Sequence, residues 1–339
     1  MNISLLIPHL LPSAEMNASL LHDLQLPALK TLLARASRTQ TDASGGIEAI
    51  LCQHFGVTRQ TDWPIGPITL LADGGDSGHH YWFRADPVHF RATRDQLMLV
   101  DSGAFNVSHA EAEQFAEAFN RHFQDEGYLL YPLRPDRWYL RVDATPELAT
   151  HSINTVTGKH IDAYLPNGAD ALAWHRFYNE IQMLFFGLAI NQAREARGEL
   201  PINGLWCWGG GVMPKMQPIT ASKFLANDSD ARALAFAAGV ANDSLPRNAG
   251  KLDQSALLLL DALNGAAQYG DYIGWREAIL QMEKDWFAPL LSQLKSGKLS
   301  SVNITTATEK HAVIWHTRRM DLLKLWRHAR LVQLLSAPA

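Results

Sequence analysis

The segment from residue 174 to residue 211 constrains the fold of this chain more than any other stretch. Apolar residues recur along its first part at the spacing of one buried helical stripe, at Phe177, Ile181, Leu184 and Leu188. A short apolar run at 205–208 follows and ends in glycines 209–211. A helix that leads into a buried strand is typical of an α/β domain, in which ligands bind at the carboxyl ends of the strands. The segment therefore predicts the central helix and strand of such a domain.

Polar side chains on the same helix are candidates for ligand binding. Asn179 shares a face with His175, and Asn191 and Arg194 repeat the helical spacing further along. Asn203 lies in the connection to the strand. Amide and guanidinium groups bind carboxylate or phosphate directly. The plainer alternatives are a solvated helix face and, for the three glycines, a tight turn.

The composition restricts the class of protein. The chain has 339 residues, enough for one large domain or two smaller ones, and its net charge of −4 gives no reason to expect nucleic acid or an anionic membrane as a partner. Cys52 and Cys207 stand in no metal-ligand or redox spacing, which is typical of a reducing compartment. The first eleven residues lack a basic region and contain Pro8, so we expect a strand there and not a signal peptide. These features indicate a cytoplasmic protein.

Buried strands are predicted on both sides of a region with a different pattern. The strand-like runs outside that region are 3–7, 205–208, 256–260, 302–305 and 313–315. Between them, short alternating strands surround one helix, whose Phe115, Phe119 and Phe123 predict a packed core. The pattern predicts a three-layer α/β core domain from residues 1–65 and 166–339, with an inserted α+β subdomain at residues 66–165.

The carboxyl ends of the predicted core strands are the expected place for chemistry. These ends, at His9, Gly209, Asp261 and Thr306, are predicted to converge on one edge of the sheet. The candidate ligands for a metal at that edge are His9, Asp261, Glu309 and His311. Four residues are a thin supply for a two-metal site, and the chain contains no H-E-x-x-H, Walker A or G-x-S-x-G motif.

Residues 177–214 resemble the archaeal-type cofactor-independent phosphoglycerate mutases of the alkaline phosphatase superfamily. The resembling elements are Asn179 on its helix, Asn191 with Arg194, Pro201 with Asn203, glycines 209–211 and Pro214. The strands that carry Arg84, Arg137 and Arg141 resemble parts of the inserted domain of that family. The likeness extends over nearly the whole chain and is greatest to a proteobacterial group labelled phosphoglycerate mutase-like or regulatory protein of the RpfE type. It implies an alkaline-phosphatase-like core and a set of ligand-binding residues, Arg84, Arg141, Asn179, Asn191, Arg194 and Asn203.

The same resemblance identifies departures at the catalytic positions. His9 stands where active members of the superfamily have a metal-binding aspartate. Ile47 and Glu48 stand where those members have a nucleophilic serine followed by an aspartate, and Ser44 is nearby but out of register. Without that hydroxyl, the covalent phosphoserine route is absent.

Two further departures remove metal ligands. An Asp and His pair, four residues apart, is replaced by Asn264 and Gln268, and an Asp-His dipeptide by Ala307 and Thr308. Mg²⁺ and Mn²⁺ prefer anionic oxygen ligands, which neutral amides replace poorly. We therefore expect no metal cofactor.

The resulting prediction is a phosphoglycerate mutase-like protein that has lost metal-dependent phosphoryl transfer. It would bind a small phosphorylated or carboxylate ligand, or act as a regulatory protein. The alternative is an active metal-dependent phosphoglycerate mutase or phosphatase, with Mn²⁺ or Mg²⁺ on the four non-standard ligands named above. A third hypothesis, a protein–protein adaptor, depends on the ten tryptophans and on a basic final helix predicted at 320–335. It requires an exposed aromatic patch.

Overall fold

A computed structural model describes residues 1–12, 21, 23–42, 45–93, 96–219, 221–308 and 311–335. The chain forms two compact units, one from residues 1–56 and 217–339 and the other from residues 57–216. We call these the first and the second unit. No helix in the described ranges is long and apolar enough to cross a membrane.

The elements alternate between strands and helices along most of the chain. The strands are β1 Asn2–Leu6, β2 Ser37–Asp42, β3 Tyr81–Ala92, β4 Leu97–Val100, β5 Tyr128–Arg134, β6 Arg137–Val142, β7 Gly204–Gly211, β8 Lys223–Leu225, β9 Asn242–Asp243, β10 Ala256–Leu259, β11 Ser301–Ala307 and β12 His311–Arg318. The α-helices are α1 Pro27–Arg35, α2 Gly46–His54, α3 Ile65–Ala72, α4 His109–His122, α5 Ile153–Val156, α6 Ala171–Phe186, α7 Ala189–Ala196, α8 Ser229–Ala237, α9 Asn264–Gln268, α10 Tyr272–Met282, α11 Ala288–Ser296 and α12 Leu331–Leu334. Short 3₁₀ turns occupy Ile161–Tyr164, Ala249–Lys251 and Arg319–Leu323, and a π-helical turn, Glu283–Phe287, joins α10 to α11.

The first unit contains a seven-stranded mixed sheet in the order β2-β12-β11-β1-β10-β8-β9. The five strands from β11 to β9 are parallel, and β12 and β2 add to one side as antiparallel strands. Ile3 and Leu5 of β1 pack in the main core with α1, α10 and α11. On the opposite face, Phe55 at the end of α2 packs edge-on against Phe224 of β8, 5.6 Å between ring centroids. Helices on both faces bury parallel strands completely, and the predicted α/β class is confirmed.

The second unit contains a five-stranded antiparallel sheet. Its long central strand, β3, pairs with β6, β4 and β7, and β5 adds beyond β6. Ser108 and Glu111 form a capping box at the start of α4. The phenylalanines of α4 are buried in one core with α6, as their helical spacing predicts.

The observed units differ from the predicted domains at both boundaries. The prediction assigned the helix at 174–198 and its strand to the α/β core and began the insert at residue 66. In the structure, β7 pairs antiparallel with β3, so α6, α7 and β7 belong to the second unit, residues 57–216. The inserted region is therefore larger than predicted, because strand pairing over more than a hundred residues of separation has no local signal in the sequence.

Two predicted helices also differ from the observed ones. The predicted long helix is interrupted at Gly187, so α6 and α7 are separate helices. Leu188, between them, is extended, and Nδ2 of Asn191 donates a hydrogen bond to the Phe185 carbonyl. In place of the continuous basic helix predicted at 320–335, the structure has a 3₁₀ turn at Arg319–Leu323 and the short helix α12 at Leu331–Leu334. Asp321 accepts the Arg318 N–H at 2.9 Å and the Lys324 ammonium at 2.6 Å, which closes a 3₁₀ turn at the position where the helix was expected.

Candidate functional site

Asn191, a predicted ligand residue, holds the backbone of the connection that leads to β7. Its side chain is 3% exposed. Nδ2 donates to the carbonyls of Phe185 and Ile202 at 2.8 Å each, and Oδ1 accepts the Ile202 N–H at 2.9 Å. Both amide hydrogens are committed, so the side chain has no donor left for an anion.

Arg194, one turn further, is fully buried and also bound to the protein. Its Nε donates to the Leu200 carbonyl and its Nη2 to the Asn106 carbonyl, each at 2.9 Å. Nη1 lies 3.1 Å from the Glu111 carboxylate, an ion pair without hydrogen-bond geometry. Burial alone would raise the pKa of Glu111, but hydrogen bonds from Ser108 and the Arg194 charge hold it below its usual value. The counter-charge that a ligand would supply is therefore provided by Glu111.

The side chains of Asn203 and Arg84 also bind other groups of the protein. The Asn203 side chain pairs with the backbone of Phe90, accepting its N–H at 2.7 Å and donating to its carbonyl at 3.0 Å. Arg84 is 4% exposed and forms an ion pair with Asp86 at 2.6 Å. The other oxygen of Asp86 accepts the Trp208 indole N–H at 2.7 Å. These contacts join β3 to β7 and give both residues structural roles.

Asn179 and Arg141 complete the predicted set of ligand residues. Asn179 is exposed on α6, and Arg141 is partly exposed on β6, 3.4 Å from the Asp143 carboxylate. The structure does not bring these two side chains together with Asn191, Arg194 and Asn203, which surround the α7–β7 connection. A ligand role for Asn179 or Arg141 stays a prediction.

The glycines that end β7 serve close packing. A Cβ added at Gly209 would lie 2.9 Å from Ile65, at Gly210 2.3 Å from the Phe83 ring, and at Gly211 2.6 Å from Pro64. Gly209 also has a positive φ of 64°. The glycines lie within strand β7, so the tight-turn alternative is wrong. They let α3 and β3 approach β7 directly, and their surface is covered by the protein.

The carboxyl ends of the parallel strands in the first unit form an acidic edge. Leu6 of β1 pairs with Leu259 of β10 and with Thr305 of β11, so the residues that follow those strands share one edge of the sheet. Asp261 follows β10 and Asp228 follows β8. Of the four strand ends predicted to converge, Gly209 is the exception, because β7 belongs to the other sheet.

The carboxylates at this edge influence one another. Asp228 accepts the Ala231 N–H at 2.7 Å and begins α8. Burial, followed by the negative charges of Asp230, Asp261 and Glu48, raises the pKa of Asp228 to about 7. Burial also raises the pKa of Asp261. An edge with this charge repels an anion and attracts a cation.

Two neutral side chains beside these carboxylates have a buried oxygen without a hydrogen-bond partner in the described part of the chain. They are Oδ1 of Asn264, at the start of α9, and Oγ1 of Thr306, near the end of β11. Each of these oxygens can coordinate a hard cation or accept a hydrogen bond from a water molecule.

The donors at this edge do not fit a metal centre of the kind that the resemblance implies. Within the described ranges, no three His, Cys, Asp or Glu side chains are placed to hold a metal ion. His9 has a positive φ of 56°, and its carbonyl accepts the Trp275 indole N–H at 3.0 Å. His311 pairs through its backbone with Thr308. Glu309, the fourth predicted ligand, lies outside the described residues, as does Ser44.

Several buried carboxylates were not predicted. Asp62 accepts the Thr150 N–H at 3.0 Å, and Thr150 Oγ1 accepts the Gly209 N–H at 3.2 Å. Asp73 accepts the Tyr139 hydroxyl at 2.6 Å and also binds Arg137. Thr150 is 88 residues from Asp62, and Tyr139 is 66 residues from Asp73, so no local pattern links these partners.

Asp228 had a usable signal in the sequence. It lies in the run Asn-Asp-Ser-Asp, residues 227–230, which spans the start of a helix, where an aspartate is favoured as N-cap. That pattern predicts a capping role and gives no indication of the neighbouring carboxylates, which come from other elements.

Comparison with known proteins finds relatives among the phosphoglycerate mutases. The 2,3-bisphosphoglycerate-independent phosphoglycerate mutase of Methanosarcina mazei is 28% identical over 142 residues, 39% of this chain and 34% of that protein. Mutase 2 of Methanothermobacter thermautotrophicus is 26% identical over 207 residues, 56% of this chain and 48% of that protein. The chain is a distant relative of these mutases. No protein-family model matches it.

The match covers only part of these relatives, between a third and a half of the length of the two mutases. A solved structure from Pyrococcus horikoshii superposes with a TM-score of 0.56 at 14% identity, over 94% of this chain and 87% of that one. The similarity to the mutases is therefore one of sequence over part of the chain, and the similarity to the solved structure is one of fold.

Proposed function

We propose that this chain is a phosphoglycerate mutase-like protein with an alkaline-phosphatase-like core that has lost metal-dependent phosphoryl transfer and acts through binding, as a regulatory protein. The observation that carries the proposal is the chemistry of the strand-end edge in the first unit. At the positions that the resemblance assigns to catalysis stand an aliphatic Ile47, the amides Asn264 and Gln268, and Ala307. None of these side chains supplies a nucleophile or an anionic metal ligand.

A regulatory role is better supported than a small-anion role. The acidic edge repels phosphate and carboxylate, and four of the six predicted anion-binding side chains make the structural contacts described above. Only Asn179 and Arg141 remain for a small phosphorylated or carboxylate ligand. Membership in the RpfE-type regulatory group is part of this proposal.

The second candidate is a metal-dependent mutase or phosphatase with non-standard ligands, Asp261 among them. The observation that favours it is the raised pKa of Asp228, which is caused first by burial and then by the negative charges of Asp230, Asp261 and Glu48; a bound Mn²⁺ or Mg²⁺ would offset that repulsion. This candidate requires Glu48, Asp228 and Asp261 to move closer together around the ion, because within the described residues they are not placed to hold a metal.

One experiment separates the two candidates. Metal content of the purified protein is measured by mass spectrometry, and interconversion of 2- and 3-phosphoglycerate is assayed with Mn²⁺ and with Mg²⁺. The Methanosarcina mazei mutase, assayed in parallel, is the positive control. We expect no stoichiometric metal and no turnover. Turnover that chelation removes, and that Asp261→Asn abolishes, would establish the second candidate instead.

A further inference from the structure

Residues 318–330 of the first unit form an exposed apolar surface, which we call the 318–330 surface. Four large apolar side chains within seven residues are mostly solvent-exposed, namely Met320 at 70%, Leu323 at 64%, Leu325 at 61% and Trp326 at 75%. Apolar side chains exposed singly are ordinary, whereas a contiguous set of this kind marks an interaction site. The adaptor hypothesis requires an exposed aromatic patch, and this surface has one exposed aromatic side chain, Trp326, among three exposed aliphatic ones.

The same surface is strongly basic on a chain whose net charge is −4. It contains Arg318, Arg319, Lys324, Arg327 and Arg330, against a single acidic residue, Asp321. The Asp321 carboxylate lies 2.6 Å from the Lys324 ammonium and 3.5 Å from Arg318 Nε. Several positive charges consequently remain without a compensating carboxylate within the surface.

The backbone beneath this surface is held by reciprocal contacts with α1 and the residue after it. Arg35 donates to the Leu322 carbonyl at 2.6 Å, and Arg327 donates to the Ala36 carbonyl at 2.9 Å. Leu322, between the exposed residues, is buried in the core of the first unit. A surface fixed in this way needs little ordering when a partner binds, which favours specific docking.

We propose that the 318–330 surface docks an acidic segment of a partner protein, one with an aliphatic or aromatic anchor residue between aspartates or glutamates. Carboxylates pair with the exposed guanidinium groups of Arg319 and Arg330, and the anchor covers Leu325 and Trp326. Nucleic acid would satisfy the arginines but has no counterpart for Met320 and Leu323. A membrane surface is a poorer fit, because interfacial segments are continuous amphipathic helices and this one is a 3₁₀ turn followed by a second turn at residues 325–326. The inference does not depend on the loss of phosphoryl transfer.

The test measures binding of a fluorescein-labelled synthetic peptide of about twelve residues by fluorescence anisotropy. The peptide contains Asp and Glu around one Leu and one Phe, and a second peptide carries Asn and Gln in place of the acids. We expect the acidic peptide to bind the full chain. We expect binding to weaken at least about tenfold when salt is raised from about 50 mM to about 300 mM, and the neutral peptide to bind far more weakly.

Two double variants locate the binding site. Leu325→Ser with Trp326→Ser removes the apolar part, and Arg319→Glu with Arg330→Glu reverses the charge; each is expected to weaken binding about tenfold or more. The matched control is Met183→Ser with Phe186→Ser on α6, an exposed apolar pair in the second unit at 78% and 81% exposure, which should leave binding unchanged. All the substituted side chains are solvent-exposed, and unchanged thermal midpoints verify folding.

The remaining outcomes overturn the proposal. These are no binding of the acidic peptide at about 1 mM, equal binding of both peptides, or binding that neither double variant weakens. Anionic phosphatidylserine vesicles and a single-stranded oligonucleotide are tested beside the peptide. If either binds through the 318–330 surface and the peptide does not, the surface belongs to a membrane or to nucleic acid.

Discussion

The carboxylate of Glu283 accepts the backbone N–H of Ala28 at 2.6 Å, although the two residues are 255 positions apart. Its second oxygen accepts the Leu29 N–H at 3.0 Å. Glu283 begins the π-helical turn between α10 and α11, and Ala28 lies in the first turn of α1 after Pro27. A side chain from one helix thus caps another, which has no cap of its own.

Replacement of Glu283 should therefore destabilise the first unit. In Glu283→Gln the side-chain amide has only one acceptor oxygen, and its NH₂ group cannot accept a hydrogen bond from the second N–H. We therefore expect the free energy of unfolding to fall by about 1–2 kcal/mol. Chemical denaturation measures the loss. The control is Glu113→Gln, a mostly exposed residue on α4 whose loss should cost less than about 0.5 kcal/mol. Equal effects of the two substitutions would contradict the capping role.

Asn191 and Asn179 both lie in the segment that resembles the mutase family, but we expect their substitutions to have different effects on the free energy of unfolding. Asn191→Ala leaves the N–H and the carbonyl of Ile202 buried without their partner and removes one of the two hydrogen bonds to the Phe185 carbonyl, which keeps the Leu188 N–H, so we expect a loss of about 2–4 kcal/mol in unfolding free energy. Asn179→Ala, on the exposed face of α6, should change it by less than about 0.5 kcal/mol. Urea denaturation followed by tryptophan fluorescence compares the two. A stable Asn191→Ala variant would show that the amide is free for a ligand.

The buried Arg84–Asp86 pair should be far more sensitive than an exposed pair. Arg84→Met leaves the Asp86 carboxylate buried with the Trp208 N–H but without its cation, and we expect a loss of about 3–5 kcal/mol. The matched control is Arg121→Met, whose partner Glu117 is exposed, with an expected loss below about 1 kcal/mol. Addition of Asp86→Asn to Arg84→Met should recover part of the stability. A double variant less stable than Arg84→Met would contradict a charge-based explanation.

The acidic edge predicts a stability that depends on pH through Asp228. Its folded-state pKa of about 7 lies above that of an unfolded aspartate, so its contribution is fully present below about pH 4 and is lost as pH rises through 7. Asn in its place keeps the acceptor for the Ala231 N–H and removes the charge. Asp228→Asn should therefore raise the unfolding free energy by about 1–2 kcal/mol at pH 8 and leave it unchanged at pH 4.

Asp243 provides a control of opposite sign for that experiment. A hydrogen bond from the Ser244 N–H and the nearby Lys223 hold the Asp243 pKa below its usual value. Asp243→Asn should therefore reduce stability at pH 8, and the reduction should disappear as pH falls below the Asp243 pKa. Thermal unfolding from about pH 2 to about pH 8 measures both variants, because the lowered Asp243 pKa lies in the acidic part of that range. The same slope in both would rule out the carboxylate cluster as the cause.

Prediction from the sequence succeeded for elements whose chemistry is local. The capping box at Ser108, the phenylalanine stripe of α4 and the buried run of β10 each depend on residues within one or two turns. The strand ends of the first unit were also placed correctly at Asp261 and Thr306, because parallel strands share an orientation.

The candidate site was predicted less well than the fold. Asn191, Arg194 and Asn203 were identified as unusual residues in the segment, but their partners are backbone groups of a connection whose path the sequence does not specify. The acidic edge was missed in part because Glu48, Asp228 and Asp261 come from three elements of the fold.

The sequence by itself determined the secondary structure of most of the chain and the types of side chain available for chemistry, since both depend on residue identity and near-neighbour spacing. Only the tertiary structure decided which sheet β7 joins, which carboxylates meet at the strand ends, and that Trp326 is exposed. These outcomes depend on contacts between residues far apart in the chain. The free energies of such contacts are summed over the whole fold, so they produce no periodic pattern in the sequence of any one segment.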